Sequence, residues 1–199
     1  VRPDFVIFDE VQSGFGRTGS MWGYEYAGVV PDIVTLGKPM GNGHPVAGVV
    51  SSPELVNGFR EDVMYFNTFG GNPVSCAVAQ AVLNVIREEQ LVANAQEVGT
   101  YLRQGLNRLQ ERHEMMGDIR GPGLFIGVEL VCDRHSKRPA TEAARKVVNM
   151  MKDRRILISK IGRHDNILKI RPPIVFSKEN GDQLLSTLDE VMDTIHGEG

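Results

Sequence analysis

The chain has 199 residues, 41% of them hydrophobic and 24% charged, with a net charge of −3. That is ordinary globular composition, enough for one large domain or two small ones. The slight negative charge gives no basic surface for nucleic acid, and no apolar run reaches the roughly 18 residues expected of a membrane-spanning helix.

In chain order, Phe5 to Phe8 form a continuous apolar run that ends in Asp9 and Glu10. This is the pattern of a buried parallel strand with polar residues at its carboxyl end. A strand this apolar needs partners on both faces, so the chain, which opens at Val1, is expected to be part of a larger protein. Gly14, Gly16 and Gly19 mark a loop, and Trp22, Tyr24 and Tyr26 after it are expected to pack in a core. "PDIVTLG" repeats the apolar-run pattern, "PVAGVVSS" reads as a third strand, and "PELVNGF" as a short helix opened by Pro53. Asn72 and Pro73 give a cap and a first-turn proline to a long helix. Val74, Val78, Ala81, Val82 and Val85 recur along it at helical spacing and are taken as its apolar stripe. A second helix is expected over roughly 91–113.

Beyond it "GDIRGPGLFIGVELV" is strand broken by a bend at Gly121 and Gly123. Residues 141–154 read as helix, "ILISKI" and "NILKIRPP" as strands, and 177–196 as a closing helix. The boundary is placed between 95 and 110, giving domains 1–100 and 101–199. The first is expected to be α/β with parallel strands, the second a smaller α/β domain. Cys76 and Cys132 lie in apolar stretches and are expected as buried thiols in a reducing compartment. The five histidines show no metal-ligand spacing, so no metal is expected. The charge runs at 87–89 and 152–155 read as solvated helix faces.

Four places could carry chemistry. Asp9 at a strand end either caps the next turn or fixes a cationic ligand outside the carboxyl edge of the sheet, with Gln12 nearby as a neutral donor and acceptor. Lys38 holds the same position on a later strand, in "GKPMGNGHP". It is either an exposed loop lysine or an amine partly desolvated by small and apolar neighbours, able to attack a carbonyl. Thr68, Gly70 and Gly71 precede the helix at Pro73 and form either a plain cap loop or a phosphate cradle. Arg171 ends a strand and offers either a surface ion pair or a fork for a carboxylate or phosphate.

In order, "DEVQSGFGRTG", "PDIVTLGKPMGNGHPVAG", "FNTFGGNP", "RGPGLFIGVEL" and "IRPP" resemble the carboxyl-terminal half of the class-III aminotransferases, which use pyridoxal 5'-phosphate. The resemblance covers essentially the whole chain. It implies part of the fold-type I large domain followed by a smaller α/β domain, and a homodimer. It also implies roles. Lys38 would form the Schiff base with the cofactor and shuttle a proton, and Asp9 would pair with the pyridine nitrogen. Val11 would pack on the ring and Gln12 contact its oxygen. Thr68 would bind the phosphate across a dimer interface, and Arg171 a substrate carboxylate. The implied reaction is transfer of an amino group from an amine or amino acid to a 2-oxo acid, in the cytoplasm, or in the mitochondrion of a eukaryote. The branch most resembled, the alanine–glyoxylate-aminotransferase-like one, includes phospho-lyases acting on phosphoethanolamine or phosphohydroxylysine. Phosphate elimination is therefore a second expectation, and an inactive fragment a third.

Overall fold

The computed structural model describes residues 5–197. They form two compact α/β units that divide between Val92 and Ala93. The chain opening at Val1 lies outside the described residues.

The first unit is built on a three-stranded sheet of β1 (Ile7–Asp9), β2 (Ile33–Leu36) and β3 (Gly48–Ser51), in that order. Between β1 and β2 the chain makes α1 (Glu10–Ser13), a glycine-rich turn and α2 (Gly23–Ala27). That crossover is long enough to return it parallel, with Asp9 opposite Thr35. The expectation of parallel strands throughout needs correction: β3 runs antiparallel to β2, with Leu36 opposite Gly48. The link from β2 to β3 holds only a 3-10 turn (Lys38–Gly41) and a short loop. It reverses the chain but is too short for the dozen or more residues of a parallel crossover.

Three helices follow: α3 (Pro53–Asp62), α4 (Pro73–Glu88) and α5 (Leu91–Arg112). Side-chain caps fix the first two starts. Ser52 Oγ accepts from the Leu55 amide at 3.3 Å, and Asn72 Oδ1 from the Ser75 amide at 2.9 Å. On α4 the buried positions are Ser75, Ala79 and Ile86, not the expected stripe. Val74, Ala81 and Val85 of that stripe are exposed. The helix is apolar on most of its circumference, so periodicity alone does not select which stripe this unit covers. Val49 and Val50, neighbours on β3 that point to opposite faces, are 66% and 57% exposed.

The second unit has its own core. Its antiparallel sheet runs β4 (Met116–Arg120), β5 (Ile126–Leu130), β7 (Ile167–Ile170), β6 (Ser159–Ile161). The inward-facing residues of β5 and β7 alternate along each strand: Ile126, Val128 and Leu130, then Leu168 and Ile170. They share one cluster with Leu102 and Leu106 of α5, Val147 and Met151 of α6 (Thr141–Asp153), and Leu188 and Val191 of α7 (Lys178–Gly197). Each such side chain, fully buried, contributes about 1.5–3 kcal/mol. Gly99 of α5 lets the helix meet the 121–125 turn, since a Cβ there would run into the Gly123 carbonyl.

Both cysteines are free, as expected, but neither is buried: Cys76 and Cys132 are exposed. The aromatic trio divides. Trp22 packs edge-on to Phe15 at 5.2 Å and Tyr24 to Phe8 at 6.1 Å, while Tyr26 is 68% exposed and is not in the core. The charge runs at 87–89 and 152–155 are exposed.

Candidate active site

Asp9 and Lys38 end up at the carboxyl edge of two adjacent parallel strands. Asp9 is the last residue of β1 and lies opposite Thr35 of β2; Lys38 follows the end of β2 and opens the 3-10 turn. A direct bond links the two strands here: Thr35 Oγ1 donates to Asp9 Oδ1 at 3.2 Å. The same oxygen accepts the Val11 amide at 3.0 Å, so Asp9 also caps α1. Its other oxygen, Oδ2, receives no hydrogen bond among the described residues and remains open to a donor.

Lys38 is exposed in this chain, so the partial desolvation expected from its small neighbours is not supplied by the described residues. Its φ of +23° lies in the left-handed region, where a side chain is strained. Its amine has no hydrogen-bond or ion-pair partner among the described residues. Val11 and Gln12 lie half-buried in α1. Val11 sits flush on the backbone ahead of the lysine: a Cβ on Gly37 would come 3.3 Å from Val11 Cγ1. That contact sets Val11 beside the lysine-bearing turn.

Sequence reasoning passed over Glu10. It is 0% exposed, and its carboxylate accepts three bonds: from Ser13 Oγ at 2.6 Å, the Gly23 amide at 2.9 Å and the Tyr24 amide at 2.8 Å. It thereby pins the start of α2 against the segment that bears Asp9. A glutamate beside a strand end carried no sign of this, because two of its three partners lie 13 and 14 residues away.

Thr68 is exposed in the 68–71 turn ahead of α4 and makes no hydrogen bond among the described residues. The cap of α4 is Asn72, so Thr68 is left free of that duty. Arg171 belongs to the second unit, just past β7. It lines a cleft of about 290 Å3 with Arg155, Ile170, Phe176, Asn180 and Gln183. Its Nε is buried without a hydrogen-bond partner, and it forms no ion pair among the described residues. A buried donor left unpaired is costly and calls for an acceptor.

One charged cluster lies apart. His113, 6% exposed at the end of α5, bonds Asp189 Oδ1 through Nε2 at 2.6 Å, and Arg112 pairs with the same aspartate. Asp193 completes the group, and the ligand-type atoms of His113, Asp189 and Asp193 lie within 4.8 Å of one another. Histidine spacing along the sequence could not reveal it, since α5 and α7 supply its two halves. Burial works to raise the Asp189 pKa, but the bonds from His113 and Arg112 outweigh it and hold the carboxyl below its ordinary value.

The aminotransferase class-III profile matches residues 4–192, and the chain belongs to that family. It is 50% identical over 192 residues to an alanine–glyoxylate aminotransferase 2-like protein of Drosophila melanogaster, covering 95% of this chain and 39% of that protein. An ethanolamine-phosphate phospho-lyase homolog of Caenorhabditis elegans is 44% identical over 191 residues, covering 94% and 41%. Among solved structures, an Arthrobacter phospholyase in complex with phosphoethanolamine superposes with a TM-score of 0.91 at 47% identity, over 95% of this chain and 45% of that one. The chain therefore has the α/β fold of the pyridoxal-phosphate transferases and spans about two fifths of the length of the curated relatives it matches.

Proposed function

We propose that this chain supplies the lysine and aspartate of a pyridoxal-phosphate-dependent aminotransferase. The observation that carries the reading is the placement of Asp9 and Lys38 at the carboxyl edge of adjacent parallel strands, where open α/β sheets bind ligands. The residues present fit the cofactor: an open carboxylate oxygen on Asp9, an unpaired amine on Lys38, and Val11 pressed against a glycine backbone.

When bound, pyridoxal phosphate supplies a carbonyl for an amine to attack and a ring that accepts electrons. Asp9 Oδ2 would accept the pyridine N–H and favour the protonated nitrogen, while Oδ1 stays tied to Thr35 and the Val11 amide. Lys38 Nζ would hold the cofactor through its carbonyl carbon. As a free amine it would be the base that takes the proton from the substrate carbon. Val11 packs on one face of the ring, and Gln12 offers its amide to the ring oxygen. Thr68 gives a hydroxyl to the phosphate within a homodimer, and Arg171 holds a substrate carboxylate. The units 5–92 and 93–197 correspond in this reading to the end of the cofactor-binding domain and a small carboxyl-terminal domain.

The structural similarity to a phosphoethanolamine-bound phospholyase favours a second reading, phosphate elimination. Both reactions begin with the same proton removal by Lys38, so the acceptor separates them. Given phosphoethanolamine, the intact protein is expected to release little phosphate without a 2-oxo acid, and to consume alanine when glyoxylate or pyruvate is supplied. Phosphate release that needs no oxo acid would establish the lyase reading instead.

A further inference from the structure

The turn that bears Lys38 is strained at the lysine itself and left-handed again at its far end. Lys38, Asn42 and Gly43 all have positive φ, at +23°, +45° and +107°. Its internal bonds run from the amides of Met40, Asn42 and His44 to the carbonyls of Gly37, Pro39 and Gly41, at 2.8, 3.2 and 3.0 Å. Such bonds shape a turn but do not attach it to anything. The side-chain hydrogen bond that ties it to α4 comes from His44, whose Nε2 lies 2.8 Å from Ser75 Oγ in the first turn of that helix. Ser75 is 9% exposed, and Asn72 Nδ2 donates to its hydroxyl at 2.9 Å. Since the serine oxygen already accepts from Asn72, its own proton is available for His44. That direction uses the imidazole tautomer with hydrogen on Nδ1, which leaves Nε2 as the acceptor.

We propose that His44 is a positioning residue for Lys38, clasping the strained turn to the capped start of α4 through Ser75. This rests on Lys38 being the reactive amine of the proposed function. The clasp joins the lysine-bearing turn to the start of the helix that follows the Thr68 turn. It also explains why a lysine persists at a positive φ: strain survives where surrounding contacts over-determine the backbone.

The test compares His44→Phe, His44→Gln and Ser75→Ala in the intact protein by two readouts. The first is hydrogen exchange at the Met40 and Asn42 amides without cofactor. The second is the affinity and rate of capture of added pyridoxal 5'-phosphate. His44→Phe and Ser75→Ala should each speed exchange at least about 10-fold and weaken capture by roughly 10–100-fold, as expected of a misplaced reactive group. The double variant should be no worse than either single one, because both break the same link. Glutamine keeps an acceptor and should recover most of the loss. Unchanged exchange and capture in Ser75→Ala, the milder variant, would overturn the proposal. So would equal loss in His44→Gln and His44→Phe, which would mark lost volume rather than a lost bond. If wild-type protein captures no cofactor while exchange at the turn still responds to Ser75→Ala, the functional reading falls and the clasp stands.

Discussion

Lys38 shows how a single residue can carry backbone strain. Its φ of +23° is a conformation glycine adopts freely and any Cβ disfavours. Lys38→Gly should therefore be more stable than Lys38→Ala by about 1 kcal/mol, since only glycine relieves the strain. Urea unfolding of the two variants measures this; equal midpoints would remove strain from the account. Asp9 and Lys38 were both legible in the sequence because each ends an apolar run with a charge, a pattern that places it at a strand end whatever its partners. Glu10 and His44 were not. Their meaning lies in bonds to Gly23, Tyr24 and Ser75, 13 to 31 residues away. Nothing in local composition separates a buried, triply bonded glutamate from an exposed one.

At the level of elements, order and type along the chain follow from caps and punctuation. Ser52 and Asn72 start α3 and α4 where the prolines predicted. What sequence left open was the side each element turns inward. The expected stripe of α4 lies mostly outward because the helix offers apolar residues on more than one face, whereas β5 and β7 alternate strictly and admit one choice. The antiparallel pairing of β2 and β3 also escaped, since a strand's pattern carries no direction. The junction of α5 and α7 gives a prediction of its own. Bonds from His113 and Arg112 hold the Asp189 carboxyl below its ordinary value despite burial. A depressed carboxyl contributes stability that is present above the unfolded value, about 3.9, and is lost as pH falls through the lowered native one. The stability difference between wild type and Asp189→Asn should thus shrink as pH drops through and below that range. A difference that stays constant from pH 7 to pH 3 would contradict the assignment.

Across the whole molecule the two units differ in how much of their apolar surface they cover. In the second, Leu102, Val128, Leu130, Met151 and Val191 are each 0% exposed. In the first, strand residues such as Ile7, Val49 and Val50 are more than half exposed. Local stability follows buried apolar contact, so native-state hydrogen exchange on the 199-residue chain should leave β5 and β7 protected longest and β1 and β3 among the first to open. Equal protection in the two sheets would refute this. The uneven burial also separates fold from function: the better-packed unit carries Arg171, while the proposed reactive pair lies on the sparsely covered sheet.

The central claim is that Lys38 and Asp9 grip one pyridine ring. Its most direct test is to add pyridoxal 5'-phosphate to the intact protein, reduce with borohydride and map the modified residue by mass spectrometry. The account predicts a single modified lysine at position 38, absent in Lys38→Ala and sharply reduced in Asp9→Ala at limiting cofactor. Modification at another lysine, or equal capture by wild type and Lys38→Ala, would contradict it.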